Sequence, residues 1–488
     1  MNFQTIIGLE VHAQLSTNSK MFCGCSTDYA STPPNTHVCP VCLGMPGVLP
    51  VVNRRAVELT IMTALALHCD VSNYARFDRK NYPYPDLMKG YQISQSNYPF
   101  GLNGWMNIEV EGQKKRIGIT NVHLEEDVAK LTHQNDGGDS YSLVDVNRSG
   151  TPLMEIVGDP DLRSPEEARQ YLMTLRSILQ YIGASEANME EGSFRCDANI
   201  SILPEGADKT TAKVEVKNMN SFRAVYRALE YEAVRIREVF TAGGKLPQET
   251  RGWIEETGKT VSQRSKEYAH DYRYFPEPDL PPLVLSNEYI EGLREKLHEL
   301  PEARRDRFVT LLGLPAYDAN VITASRATAD YFESCLIADS LKELPLNERA
   351  KTVSNWLLGE FARLLNANNT EITSAKITPE MLGQLIVFVQ KGTVSGTSAK
   401  EVFEDMYNTG QPAAEIIKSR GLNQISNTGE IENIINQVIS ANSQPVADFK
   451  AGKTQALTFM VGQVMKASKG RANAKIVNDL MKKKLEEG

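Results

Sequence analysis

A chain of 488 residues is too long for one ordinary core, and at about 100–200 residues per domain it calls for roughly three. With 41% hydrophobic and 23% charged residues it reads as soluble and globular. No run of about 18 apolar residues and no basic-then-apolar leader points to a membrane or secretory route, so a cytoplasmic protein is expected. A net charge of −8 argues against a surface wrapped in nucleic acid over its whole extent, and seven cysteines without a secretory signal speak against a disulfide framework.

The first element, "IIGLEVHAQL", alternates. Leu9, Val11, Ala13 and Leu15 share one face of a strand, and Glu10, His12 and Gln14 share the other. Next comes C-x-C at Cys23 and Cys25, thirteen intervening residues, and C-x-x-C at Cys39 and Cys42. In a reducing compartment that spacing suits one tetrahedral structural Zn²⁺ with no position left for water; four separate buried thiols or a redox pair at Cys39 and Cys42 are the alternatives. In "NVHLEEDVAKL", His123, Glu125 and Asp127 oppose Val122, Leu124 and Val128, and "TPLMEIVGDP" sets Glu155 in an apolar run, where a carboxylate is costly unless paired or cation-bound. A helix is expected from Pro165 to Ile182, capped by Ser164 with Glu167 completing a capping box and Gly183 ending it. "FRCDANISI" and "AKVEVKN" alternate as strands, a second helix starts near Ser221, and "YFPEPDLPPLVL" is too rich in proline to be helical. From about 287 to 405 the pattern is helical, and so is the remainder to 488. From Asp448 onward nine Lys/Arg face four Asp/Glu, a surplus of five positive charges.

The fold class is therefore α+β. A mixed, largely antiparallel sheet domain with helices spans 1–290, an all-α domain 291–405 and a small helical tail 406–488. Glu10, His12 and Glu155 offer the oxygen and imidazole donors a hard cation such as Mg²⁺ takes; ordinary half-exposed strands with wet outer faces are the alternative. Alternation favours Glu125 over Glu126 as a further ligand, unless a bulge turns Glu126 to that face. "AGKT" at 451–454 is no Walker A loop, because Ala447 stands where glycine is required, and GxGxxG is absent.

"IGLEVHAQL", "FDRKNYPYPDLMKGYQISQ", "VNRSGTPLMEIV", "MEEGSFRCDANIS", "DYRYFPEPDL" and "MVGQVMKASKGRANA" closely resemble, in order and end to end, the B-subunit family of the aspartyl/glutamyl-tRNA amidotransferases. The resemblance implies a cradle domain, a helical domain and a tail that touches tRNA. It implies MgATP-dependent phosphorylation of the side-chain carboxylate of Glu on tRNA(Gln) or Asp on tRNA(Asn). Ammonia from an amidase-class glutaminase, the A subunit, in a complex with a small C subunit, then completes the amide. The family's metal ligands carry over onto Glu10, His12, Glu155 and one of Glu125 and Glu126. The cysteines match the zinc-bearing branch, and "EEGSFRCD" and "VEVKNMNSF" either line an ammonia path or hold buried ion pairs. Lys450, Lys453, Lys466, Lys469, Arg471 and Lys475 would meet the tRNA backbone; a solvated basic helix face is the alternative. Two rival functions are a carboxylate–amine ligase acting on a free acid and a non-catalytic, zinc-stabilised RNA-binding scaffold.

Overall fold

The computed structural model describes residues 2–136, 139–265, 272–422, 428–450, 453, 455–468, 472 and 474–487. It divides into two units, Met1–Leu300 and Pro301–Gly488. The first contains β1 (Phe3–Gln14), α1 (Arg54–Ala66), β2 (Asp70–Val71), β3 (Tyr74–Ala75), β4 (Asp78–Asn81), β5 (Tyr91–Ser94) and β6 (Gly101–Val110). There follow β7 (Gln113–Glu126), β8 (Lys130–Asp136), β9 (Asp139–Asp145), β10 (Pro152–Gly158), α2 (Pro165–Tyr181), β11 (Phe194–Pro204), β12 (Val214–Lys217) and α3 (Phe222–Thr241). The unit ends with β13 (Glu249–Ile254), β14 (Lys259–Ser265), β15 (Phe275–Pro276), β16 (Leu283–Val284) and α4 (Asn287–Arg294).

Nine strands form one sheet in the order β14-β13-β12-β11-β1-β10-β7-β6-β2. Only β12 and β13 run parallel, so the sheet is mixed and largely antiparallel. Period-two alternation buries Leu9, Val11 and Ala13 on the central strand, and α1, α2 and α3 pack against that apolar side as one continuous core. The opposite side carries the polar residues. Helix α2 forms where expected: the Ser164 hydroxyl accepts the Glu167 N–H, Pro165 holds the first position, and Gly183 takes φ +68° just past the end. The reciprocal half of the capping box shifts by one residue, because the Glu167 carboxylate accepts the N–H of Arg163 (2.7 Å) and the ammonium of Lys115 (2.7 Å). Ser221 caps α3 through the Ala224 N–H.

The second unit is helical among its described residues and holds two separate apolar clusters, one from Phe308 to Ile417 and one from Ile431 to Leu485. The expected boundaries at 290/291 and 405/406 fall inside α4 and inside the helix Gly396–Thr409.

Candidate active site

Register, more than alternation, builds the site. Across the polar side of the sheet Arg195, His12, Glu155 and His123 stand directly opposite one another on β11, β1, β10 and β7. With neighbouring strands about 4.8 Å apart, such a row brings its side chains into contact. Glu125 lies two residues along β7 on the same side. His12, Glu125 and Glu155 each offer a ligand atom, all within 4.8 Å of one another. The Nε2 of His12 is 3.4 Å from Glu155 Oε2 and 3.9 Å from Glu125 Oε1; the Nε2 of His123 is 3.1 Å from Glu155 and 3.8 Å from Glu125. Ser94 Oγ donates to the second Glu125 oxygen at 3.1 Å.

The adjacent acids part company. The ladder runs through Glu125–Leu153 and Glu126–Pro152 without a bulge, so Glu125 faces the cluster. Glu126 points elsewhere, bound by the Lys89 ammonium and by the backbone N–H of Ile93 (3.0 Å). Glu10 lies on the next row, opposite Asp197, where Asn199 Nδ2 donates to it at 2.9 Å; it is outside the close trio. His123 and Lys80 are the residues that sequence reasoning did not place in the site. His123 had a signal, its place on the polar face of an alternating strand; Lys80 had none.

Burial opposes charge throughout this cluster, and proximity overrides it. For Glu155 the His123 and His12 imidazoles outweigh desolvation and hold the carboxyl well below the usual range. For Glu125 the His123 contact and the Lys80 charge likewise outweigh desolvation and lower the carboxyl. Against the same desolvation, Glu155 and Glu125 raise His12 and lift His123 to about 10. Lys80 is also raised, burial being outweighed by Glu125, Tyr274 and Glu155. Two carboxylates thus stay ionised in a sheltered site. With one imidazole they supply three donors to a hard divalent ion, whose remaining positions suit water and phosphate oxygens.

Beside the trio, Asp127 accepts from Gln14 Nε2 and Arg195 Nη2, both at 2.7 Å, with Arg148 Nε at 3.7 Å. The two charged segments named for an ammonia path hold ion pairs: Lys217 sits 2.5 Å from Asp197 and 3.3 Å from Glu215.

The second cluster is the four cysteines. The sulfurs of Cys23, Cys25, Cys39 and Cys42 all lie within 4.8 Å of one another, and none is in a disulfide. A Zn–S distance of about 2.3 Å places tetrahedral sulfurs about 3.8 Å apart, so the set fits zinc with little movement. A hydrogen bond from Cys23, against desolvation and with help from the Cys39 N–H and the Lys20 charge, pulls Cys42 down to about 4; burial and the Cys39 thiol push Cys25 up to about 11.

In the tail, Lys453 is exposed and paired with Asp448 at 3.0 Å, and Lys466 is exposed on the helix Gln455–Ala467. Lys450 and Lys475 are described in backbone only, and Lys469 and Arg471 lie outside the described residues.

Residues 5–291, which hold the mixed sheet and its carboxylate–imidazole trio, match the family model "GatB/GatE catalytic domain". Residues 331–485 match the model "GatB domain". The chain is 58% identical to the aspartyl/glutamyl-tRNA(Asn/Gln) amidotransferase B subunit of Dehalococcoides mccartyi, covering 100% of this chain and 99% of that protein. It is 53% identical to the proteins of the same name from Carboxydothermus hydrogenoformans (99% of each chain) and Geotalea daltonii (100% of each). The chain therefore belongs to the amidotransferase B-subunit family.

Proposed function

We propose that this chain is the phosphorylating subunit of a glutamine-dependent tRNA amidotransferase, acting on Glu-tRNA(Gln), Asp-tRNA(Asn) or both. The observation that carries the reading is the convergence of His12, Glu125 and Glu155 on one face of the sheet. A carboxylate repels nucleophiles and has no viable leaving group, so it must be activated before ammonia can attack. The γ-phosphoryl of ATP passes to a side-chain oxygen of the aminoacyl group, giving an acyl phosphate and ADP. Ammonia then adds at the carbonyl carbon, phosphate leaves with the bond electrons, and the surplus proton goes to solvent. Bound by His12, Glu125 and Glu155, Mg²⁺ would supply neutralisation of phosphate charge. His12, Glu125 and Glu155 would hold that ion, His123 holds Glu155 and Glu125 in place, and Lys80 offers a cation beside the transferring group.

The partners in this reading are the glutaminase, which releases the ammonia, and the small third protein of the complex, all in the cytoplasm. The region 1–290 performs phosphorylation, 291–405 is a helical connector, and 406–488 meets tRNA through its lysines. Zinc at the four cysteines is structural. The test mixes the purified chain, its glutaminase partner, ATP, glutamine and mischarged tRNA, and counts amidated aminoacyl-tRNA. Amidation that requires tRNA-borne acid and yields one ADP per amide supports the reading. ATP turnover on a free acid without tRNA, or amidation indifferent to His12→Ala in a folded variant, overturns it.

A further inference from the structure

The cysteine loop is tied to the active-site strands by a second set of contacts that zinc ligation does not require. Between Leu15 and Asn53 the chain has no helix or strand longer than an isolated bridge, so the order of this loop depends on its cluster and its hydrogen bonds. Asn35, at φ +60°, donates its N–H to Asp145 Oδ1 (3.0 Å) and accepts the Val146 N–H at 2.8 Å. Lys20, 1% exposed, donates its ammonium to the carbonyls of His37 (2.9 Å) and Val146 (3.2 Å). Asn147 is the centre of this seam. Its side chain, 0% exposed, accepts the His37 N–H at 2.8 Å and donates to the Pro33 carbonyl at 2.7 Å.

The next residue carries the connection inward. Arg148 donates to the carbonyls of Val128 (2.9 Å) and Ala129 (3.0 Å) and stands 3.7 Å from Asp127. Asp127 in turn takes hydrogen bonds from Gln14, two residues from His12, and from Arg195, directly opposite His12. It is also two residues from Glu125. The path from the cysteine loop to two of the three proposed ligands is thus short, with Lys20, Asn147 and Asp127 buried along it.

We propose that Asn147 is a positioning residue through which the zinc-closed cysteine loop braces His12 and Glu125, so that zinc at the four sulfurs tightens divalent-ion binding at the carboxylate cluster. The inference rests on the reading of both clusters as metal sites. Without zinc, the 26–38 segment regains its freedom and Asn147 loses the partners that hold the 144–151 segment under β7 and β10. Partners one step removed from a metal ligand typically change metal affinity by about 10–100-fold, and the lower end suits a brace several bonds away.

The test uses the full chain, loaded with zinc or stripped of it by a chelator that is then removed. Mn²⁺ affinity is read by electron paramagnetic resonance, and amide exchange across 144–151 is followed in parallel. In the unaltered chain, zinc removal should weaken Mn²⁺ by about tenfold and speed exchange across 144–151. Zinc-loaded Asn147→Ala should already show most of that loss, and stripping it should add less than about threefold. A full tenfold zinc effect persisting in Asn147→Ala overturns the assignment to Asn147. Exchange indifferent to zinc in the unaltered chain overturns the brace without any variant having to fold, as does a chain that takes up no zinc. Mn²⁺ binding that is tight, lost in His12→Ala, and indifferent to zinc defeats the brace alone. Absence of His12-dependent Mn²⁺ binding defeats the carboxylate reading beneath it.

Discussion

Glu125 and Glu126 are adjacent, both carboxylates and both buried, yet the structure gives them different partners. Glu125→Gln preserves volume, retains a polar atom for Ser94 at 3.1 Å, and removes one of the two negative charges in the trio. Loss of a partner one step from a metal already costs about 10–100-fold in affinity, so loss of a direct ligand should cost at least about 100-fold, or about 2.7 kcal/mol. Glu126→Gln leaves the trio intact. Its cost falls on folding, because the Lys89 ammonium loses its buried counter-charge, and breaking a buried pair costs about 3–5 kcal/mol. The assay is Mn²⁺ affinity together with tRNA-dependent ADP release, each normalised to the folded fraction from a thermal melt. Glu125→Gln should lose ion affinity and ADP release per folded molecule, whatever it loses in melting point by leaving His123 and Lys80 without its charge. Glu126→Gln should melt earlier while its ion affinity stays within about threefold. Ion affinity lost equally in both variants, or more in Glu126→Gln, would refute the argument from register.

Three further outcomes follow from the same geometry. Because the acids raise His12 and His123, the latter to about 10, protons compete with the ion; its dissociation constant should fall between about pH 6 and about pH 9, by up to about tenfold per pH unit for each proton displaced, and a flat titration would exclude that competition. Glu232, 0% exposed, holds Arg235 (2.7 Å) and Arg251 (3.2 Å) between α3 and the β13–β14 edge, so Glu232→Gln should cost about 3–5 kcal/mol. With about 2.1 cal/mol/K per residue over the first unit, that lowers its calorimetric melting point by about 5–8 °C, whereas a shift under about 2 °C would show the network to be replaceable. If about five tail cations meet phosphates, the logarithm of tRNA affinity should fall against log salt with a slope near about −4; Lys453→Ala with Lys466→Ala should flatten it by about 1.4–1.8 in a filter-binding series, and an unchanged slope would assign those lysines to solvent.

How far the sequence discloses this molecule depends on whether the deciding interaction is local. Ser164, Pro165 and Gly183 bound α2 from within a few residues of its ends, and the alternation in "IIGLEVHAQL" tells which side of β1 is apolar; both are legible because cap and pleat act locally. Helix α1 is illegible for the opposite reason. Ten of its thirteen residues are buried, so it has no polar face from which a helical period could be counted. Alternation likewise assigns Glu10 and His12 the same side, and only pairing with β10 and β11 puts His12 opposite Glu155 and Glu10 opposite Asp197. A shift of two residues would keep every apolar side chain in the core and put Glu10 in the place of His12 opposite Glu155. The acidic and imidazole donors are therefore readable as a set, and the membership of the trio is not. Lys80 lies further still from any local signal. Its strand pairs outside the nine-stranded sheet, and only the tertiary fold brings its charge to Glu125 and Glu155. The chemistry of this face is written in residue types, but its geometry is set by strand pairings between residues far apart in the chain, such as His12 with Glu155 and Glu155 with His123.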